Sequence, residues 1–261
     1  DVNIYIGIIN NSFFKYAPIN ILVLDQHKFD KVWVPYLQRC DYVISKNEYC
    51  STILKNYIPK EKIVELGWKN TDKFIYAVEK KFDQFIFVLG QSSFRLIKQV
   101  LEVWQEDYPT LTILSGLKYY DFFNIEKKEQ ANIIYIEEYQ KSVEYLTLIN
   151  RNSVHLCLSG CSSFANTLQD CIVSKSVPIA LDCPPFRDYV TNNVTGFLVK
   201  QKKKKKLKNS LGSEFTVDMD DLKIVIEKVI KIMNTDEMKL EEMGEKGQKD
   251  NLQNDRTFDR T

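Results

Sequence analysis

Two glycine-containing loops carry the residues whose types and spacing could bind an anion. The first, residues 90–93, joins the apolar run 85–89 to a helical pattern, and Arg95 stands one turn further on. Gly90 lets the backbone approach a phosphate, N–H groups at the start of a helix bind its negative charge, and an arginine donates two hydrogen bonds to it. The second loop, residues 158–163, also opens a helix and offers a glycine and three serines. Each loop alone is equally typical of an ordinary strand-to-helix turn in which serines cap the helix, so both interpretations stay open.

Other reactive side chains form no recognisable catalytic or metal-binding set. His155 lies inside a predicted strand, which favours a core or supporting role over that of a general base, and no Ser-His-Asp relay can be assigned. Residues 182–188 contain two consecutive prolines after a strand, which predict a rigid turn that suits a binding rim or a structural corner. Six cysteines without C-x-x-C spacing and two histidines predict no zinc site and no metal.

Composition narrows the class of protein. The chain has 261 residues, 44% of them hydrophobic, and its 36 basic residues nearly balance its 35 acidic ones. Such a chain can bury a core, and the balanced charge argues against a whole-protein field for nucleic acid or an anionic membrane. No apolar run approaches the roughly 20 residues of a membrane span, and the first residues lack the features of a secretion signal. The chain does not begin with Met, which leaves room for residues upstream.

One strong local charge bias is the lysine run 202–206, with Lys208 beyond it. Such a run could bind phosphate, nucleic acid or a membrane surface. We interpret it instead as a solvated, mobile loop after Val199, because acidic residues elsewhere offset its charge.

The elements that must position these loops alternate between short strands and helical patterns, which is typical of parallel βαβ units and of the α/β class. Predicted strands cover residues 4–9, 21–24, 42–45, 63–66, 85–89, 111–114, 133–136, 154–157 and 177–180. Predicted helices cover residues 48–57, 93–104, 143–149, 164–173 and 218–233, and a more polar helix begins near 236. The aromatic segment 118–123 is interpreted as core. We predict a partial N-terminal domain over residues 1–80, a Rossmann-like domain over 81–217 and C-terminal helices over 218–261 that brace the cleft between them.

Read in order, these motifs resemble retaining GT-B glycosyltransferases of family four, in the form found in large DNA viruses and bacteria. Residues 90–95 are similar to the family's Gly-Lys-Ser-x-x-Lys, and residues 155–165 to its His-x-Cys-Pro-Ser-x-x-Glu-Gly-Phe-Gly. Residues 41–46, 66–73 and 182–188 resemble its Asp-x-Val-x-x-Lys, Gly-Trp/Phe-Thr-Ser-x-Asp and Asp-Ala-Pro-Pro-Met-Asn-Glu segments. The resemblance implies a GT-B-like fold in which a Rossmann-like parallel sheet domain accompanies a partial second one.

The resemblance also implies roles for particular residues. In the family, two glutamates spaced E-x7-E face the donor: the first contacts the sugar and the second binds the ribose. Here the first is Ser162 and the second is Asp170, and Ser163 and Ala165 replace the glycines around Phe164. A hydroxyl stabilises a positively charged transition state less well than a carboxylate does, whereas Asp170 keeps a carboxylate for the ribose.

The implied donor-binding residues are Gly90, Ser92, Arg95, Phe164 and Asp170, with the first three facing the diphosphate, and no catalytic residue is assigned. The implied activity is metal-independent transfer of a hexose from a nucleoside-diphosphate sugar to an unidentified acceptor, without a cofactor, a nucleic-acid partner or a transmembrane segment. The alternative is a catalytically inactive relative that acts as a binding or scaffold protein.

A nucleotide-sugar epimerase is disfavoured, because no G-x-G-x-x-G follows an early strand. Cysteines in apolar or helical segments suit a reducing compartment, so we expect a cytoplasmic location, in the host cytoplasm for a viral protein.

Overall fold

The computed structural model describes residues 1–66, 73–90, 93–116, 126–160 and 164–255 of the chain. Ser92, Ser162 and the aromatic segment 118–123 therefore lie outside the described residues. The described part has a mixed α/β structure built on two parallel sheets, which confirms the fold class predicted from the alternation of strands and helices.

The first sheet contains four parallel strands in chain order, joined by helical crossovers. Its strands are β1 (Val2–Ile6), β2 (Ile19–Val23), β3 (Tyr42–Ser45) and β4 (Ile63–Glu65). The crossovers contain 3-10 helices at Asn11–Tyr16, Lys31–Arg39 and Lys60–Lys62, and the α-helix α1 at Glu48–Leu54. Asn47 caps α1 by accepting a hydrogen bond from the Cys50 N–H, at 2.9 Å. Tyr5, Leu22 and Val43 point to the side of the sheet that these crossovers cover, and they are buried there.

The opposite face of the first sheet is apolar and exposed. Val2, Ile4 and Ile6 alternate along β1 and are 51%, 64% and 76% exposed. Ile19 and Tyr42 lie in register beside them and are exposed as well. Parallel sheets are usually covered on both faces, and the first sheet departs from that pattern.

The second sheet contains six parallel strands in the order β10-β9-β8-β5-β6-β7. Its strands are β5 (Lys81–Val88), β6 (Thr110–Leu114), β7 (Ile133–Ile136), β8 (Asn152–Cys157), β9 (Val177–Leu181) and β10 (Phe197–Val199). All residues of β8 and β9 are buried, as expected for central strands covered on both faces. The chain winds outward from β5 in one direction and then returns to continue outward from β8 in the other. The strand order therefore reverses between β5 and β8, as in doubly wound nucleotide-binding folds.

Helices cover both faces of the second sheet. They are α2 (Ile97–Val103) after a 3-10 turn at Phe94–Leu96, α3 (Ser142–Arg151), α4 (Asn166–Val173), α5 (Phe186–Tyr189), α6 (Met219–Thr235) and α7 (Glu237–Asp255). Asp218 caps α6, whose buried stripe of Leu222, Ile226 and Val229 packs on the second sheet, while α7 packs on α4 and β9. None of the described helices combines the length and the apolar character of a membrane span.

The lysine run adopts a structure that differs from the mobile loop expected from the sequence. It forms β11 (Gln201–Lys206), which pairs antiparallel with β12 (Ser213–Val217), and we call this pair the lysine ribbon. Its register is fixed by β12, in which Ser213, Phe215 and Val217 are buried on one face. Lysine is depleted in strands, so the composition of residues 202–206 did not predict a strand. The strand forms because it pairs with β12.

Candidate functional site

Gly90 and Gly160 follow the two neighbouring strands between which the strand order reverses. The strands β5 and β8 are direct neighbours, with Phe85 opposite Val154 and Ile86 opposite His155. Gly90 follows β5 and Gly160 follows β8, so both loops emerge at the carboxyl ends of adjacent parallel strands. Ligands of open α/β sheets bind in the crevice at this position.

Gly90, after β5, has open space around it among the described residues. The Gly90 N–H donates to Ser93 Oγ at 2.8 Å, and the Phe94 N–H donates to the Gly90 carbonyl at 3.0 Å, which closes the turn into α2. A side chain at position 90 would meet only Ser93 Oγ, at 4.0 Å. Arg95 is 78% exposed in its side chain, and its Nη1 lies 3.6 Å from Glu214 Oε1 on β12. This long, exposed ion pair leaves the guanidinium accessible to another anion.

Gly160, after β8, lies directly against β12 of the lysine ribbon. The Phe215 N–H donates to the Gly160 carbonyl at 2.9 Å, and a Cβ at position 160 would lie 1.8 Å from the Phe215 carbonyl oxygen. Only a glycine fits so close to another backbone. The loop enters α4 through Ala165, which has a φ of 52° in the left-handed region. The resembling family has glycine there, and the structure shows the backbone conformation for which glycine is suited.

Phe164 connects this loop to the first sheet. Lys46, at the carboxyl end of β3, places its Nζ 2.9 Å from the centroid of the Phe164 ring, within the range of a cation–π contact. Lys46 is 3% exposed. Burial lowers its pKa to about 8, although Asp25 favours the charged form. A desolvated cation therefore lies between the two sheets at the edge of the crevice.

This burial predicts a pH dependence of stability that a Lys46→Met substitution reduces. The folded pKa of about 8 lies below the unfolded value of 10.5, so the unfolded state binds more protons between these values and stability rises with pH in that window. Lys80 contributes in the same direction because burial also lowers its pKa to about 8. Buried cysteines oppose this rise in the wild type, because burial raises the pKa of Cys40 to about 11 and that of Cys50 to about 12, above the unfolded value of 9.0. The contribution of Lys46 is therefore read from the difference between variants in the signed slope of stability against pH, measured by urea unfolding from pH 8 to about 9.5. Lys46→Met should have a smaller slope and the exposed Lys231→Met an unchanged one; equal slopes in the wild type and Lys46→Met would contradict the assignment.

Asp170 lies on α4 with both carboxylate oxygens engaged. Lys73 Nζ donates to Oδ1 at 2.6 Å, and the Tyr145 hydroxyl donates to Oδ2 at 2.5 Å. Asp170 is 7% exposed, and burial, followed by the charge of Asp170, raises the pKa of Tyr145 well above its usual range. Lys73 and Tyr145 could not be predicted as partners of Asp170, because 97 and 25 residues separate them from it along the chain.

Two further expectations concern the neighbouring strands. His155 is buried, and its Nε2 lies 3.0 Å from the Ile149 carbonyl oxygen, which confirms a core position. Burial, with a smaller contribution from Lys80, lowers its pKa to about 3. The turn at 182–188 is closed by Arg187, which donates to the Asp182 carbonyl at 2.9 Å. Burial raises the pKa of Asp188 in this turn, and the nearby charge of Glu48 adds to that effect. Because Glu48 belongs to α1, the turn lies beside the first sheet's crossovers.

The tip of the lysine ribbon forms a link to the first sheet that was not predicted from the sequence. His27, after β2, has its Nε2 3.0 Å from the Ser213 carbonyl oxygen, and the Lys31 N–H donates to the Asn209 carbonyl at 2.9 Å. Leu211 is buried in the core of the first sheet. The ribbon therefore fastens the loop after β8 to the first sheet. The alternation of apolar and polar residues at 214–217 (Glu-Phe-Thr-Val) is the sequence signal from which its second strand could have been predicted.

No group of three or more histidine, cysteine, aspartate or glutamate side chains in the described ranges is arranged to hold a metal ion. Five cysteines there, at positions 40, 50, 157, 171 and 183, are free and buried.

No protein-family model and no curated protein sequence matches this chain. Solved structures do. TarM has a TM-score of 0.71 at 15% identity, covering 96% of this chain and 51% of TarM. A glycosyltransferase from Rickettsia africae ESF-5 has a TM-score of 0.70 at 15% identity, covering 97% of this chain and 72% of that one. HepE from Anabaena, in complex with UDP-glucose, has a TM-score of 0.64 at 11% identity, covering 90% of this chain and 68% of that one.

These similarities define the fold. The structural neighbours are GT-B-type glycosyltransferases, and the chain has a GT-B-like fold with Rossmann-like parallel sheets. It spans about half the length of TarM.

Proposed function

We propose that this chain is the nucleotide-sugar-binding part of a GT-B glycosyltransferase that moves a hexose from a nucleoside-diphosphate sugar to an acceptor. The observation that carries the proposal is the pairing of two strand-to-helix loops at the strand-order reversal, with the first sheet facing them through Lys46 and Phe164. The complex of HepE with UDP-glucose, on the same fold, supports a nucleotide sugar as the ligand.

The donor would lie along the crevice with its diphosphate at the loop after β5. Gly90 leaves the backbone open there, and Arg95 is exposed enough to exchange Glu214 for a phosphate. Arg95 and the N–H groups at the start of α2 would stabilise the negative charge that develops on the departing diphosphate, which makes a metal ion unnecessary in this scheme. Ser92 is proposed as a third diphosphate contact from the resemblance. Retention of configuration also follows from the resemblance.

Phe164 and Asp170 are proposed to hold the sugar and nucleoside end of the donor. An ionised carboxylate accepts up to about four hydrogen bonds, so Asp170 can bind Lys73 and Tyr145 and still accept from a ribose hydroxyl. Phe164, fixed by Lys46, offers a rigid apolar wall beside it.

The proposed organisation assigns residues 1–80 to a partial acceptor-side domain, 81–217 to the donor domain and 218–261 to helices that brace the cleft. A cytoplasmic location is a further part of the proposal and rests on the five free, buried cysteines.

The test is stabilisation by donors. In a thermal-shift screen against UDP-, GDP- and ADP-sugars and their free nucleotides, one base should raise the melting temperature in proportion to the logarithm of ligand concentration. Arg95→Gln should weaken binding by about 10- to 100-fold, because a charge-assisted hydrogen bond contributes about 1.5–3 kcal/mol. Arg151→Gln, which removes an exposed arginine at the end of α3, is the matched control.

Absence of any stabilisation at millimolar ligand would overturn the proposal. Equal affinities for Arg95→Gln and Arg151→Gln would show that the diphosphate does not lie at the loop after β5. Donor binding without sugar transfer to any acceptor would identify a catalytically inactive relative instead.

A further inference from the structure

The lysine ribbon concentrates positive charge that the rest of the protein leaves uncompensated. Residues 200–208 include seven lysines, and every residue of β11 is exposed. Lys200 pairs with Asp221 at 3.0 Å. Lysines 202–206 form no ion pair within the described part of the chain, and the nearest acid in register is Glu214, opposite Lys205. Adjacent like charges repel one another, so the lysines of β11 destabilise the strand that they form.

The register arranges these charges in rows. Lys203 and Lys205 lie opposite Thr216 and Glu214 on the outer face of the ribbon, whereas Lys204 shares the inner face with Phe215. Two residues along a strand span about 6.7 Å, so Lys203 and Lys205 on one face, and Lys204 and Lys206 on the other, begin about that far apart along β11. Such a row suits a chain that repeats negative charges along its length better than it suits a single small anion.

The ribbon is also adjacent to the candidate site. Phe215 on β12 donates its N–H to Gly160, and Glu214 on the same strand pairs with Arg95. A chain bound along β11 would therefore run about one strand spacing, ~4.8 Å, from the strand that contacts Gly160 and Arg95. The ribbon has no large exposed apolar side chain that could insert into a lipid bilayer. The whole protein has a net charge of only +1, so the attraction is local to this surface.

We infer that the lysine ribbon binds a linear polyanionic glycan and that this glycan is the acceptor chain. The binding surface follows from the charge and register of β11. Its role as acceptor site rests on the proposed function, because it requires sugar transfer to occur at the neighbouring loops.

The experiment compares the wild type with Lys203→Gln/Lys205→Gln and with Lys231→Gln/Lys239→Gln. The control pair removes two charges from exposed positions on α6 and α7. Heparin, as a polyanionic glycan, is titrated at two salt concentrations beside neutral dextran, single-stranded DNA and vesicles containing phosphatidylserine. We expect heparin to bind and dextran not to. The ribbon variant should lose about 10-fold in affinity at low salt, with a shallower salt dependence, while the control pair stays within about twofold.

Several results would overturn the inference. The inference fails if heparin does not bind, if both variants lose the same affinity for heparin, or if DNA or vesicles bind more tightly than heparin does. Lysines on edge strands also prevent aggregation, so light scattering accompanies each titration. Self-association of the ribbon variant with unchanged heparin affinity would assign the lysines that protective role instead. Thermal shifts with nucleotide sugars separate the two proposals. Heparin binding without any stabilisation by nucleotide sugars would refute the transferase and the acceptor role and leave the polyanion-binding surface. Stabilisation by a nucleotide sugar without heparin binding would refute only the ribbon inference.

Discussion

Gly160→Ala should destabilise the protein by about 3 kcal/mol or more and release the lysine ribbon from the loop after β8. The added Cβ would lie 1.8 Å from the Phe215 carbonyl oxygen and 3.0 Å from its carbon. Both contacts are with backbone, which cannot rotate away as a side chain does. Overpacking usually costs about 1–3 kcal/mol, and separating the two backbones would also break the hydrogen bond from the Phe215 N–H to the Gly160 carbonyl.

Gly90→Ala is the matched control, because among the described residues the same added methyl group comes no closer than 4.0 Å, to Ser93 Oγ. Urea unfolding should place Gly90→Ala within about 0.5 kcal/mol of the wild type. Hydrogen exchange of residues 201–217 should accelerate in Gly160→Ala alone. Equal stabilities for the two variants would show that β12 does not rest on this loop. If the proposed donor site is correct, Gly90→Ala should also weaken nucleotide-sugar binding, because the methyl group blocks the approach of the phosphate.

Asp170→Asn should cost about 3 kcal/mol of stability through the loss of a largely buried ion pair. The substitution keeps the shape of the side chain but leaves Lys73 without its carboxylate and Tyr145 with a weaker acceptor. Removing one partner from a buried pair costs about 3–5 kcal/mol, and the lower end applies because the Lys73 side chain is 25% exposed.

Asp182→Asn provides the comparison, since Asp182 and Arg187 form an ion pair in which both side chains are more than 40% exposed. Exposed pairs contribute about 0–1 kcal/mol, so this variant should unfold almost as the wild type does. If both aspartates gave the same small loss, the partners of Asp170 would not stabilise the fold. A Tyr145→Phe/Asp170→Asn double-mutant cycle would then measure the interaction free energy between the Tyr145 hydroxyl and the Asp170 carboxylate.

Much of the fold follows from local patterns. The strands at 42–45 and 133–136 were predicted with the observed bounds, because short runs rich in β-branched and aromatic residues between polar turns are typical of strands. The apolar residues at 222, 225, 226, 229, 230 and 233 recur three and four positions apart, which predicts one buried face of a helix. In α6 the residues at 222, 226 and 229 are buried and the other three are partly buried against the same core. The expectation of a loop at 202–206 was wrong, because the strand there depends on a partner that begins seven residues later.

The candidate site also combines features that the sequence predicts with contacts that only the tertiary structure shows. The sequence by itself determined the two glycine loops, since a glycine between an apolar run and a helical pattern is a local signal. Tertiary structure decided what surrounds them: Lys46 against Phe164, Lys73 and Tyr145 on Asp170, and Phe215 on Gly160. These contacts join residues between 25 and 118 positions apart. Local periodicity carries no information about such pairs. They form only because parallel strands bring their carboxyl ends to one edge of a sheet, and because the strand order of the second sheet reverses between β5 and β8.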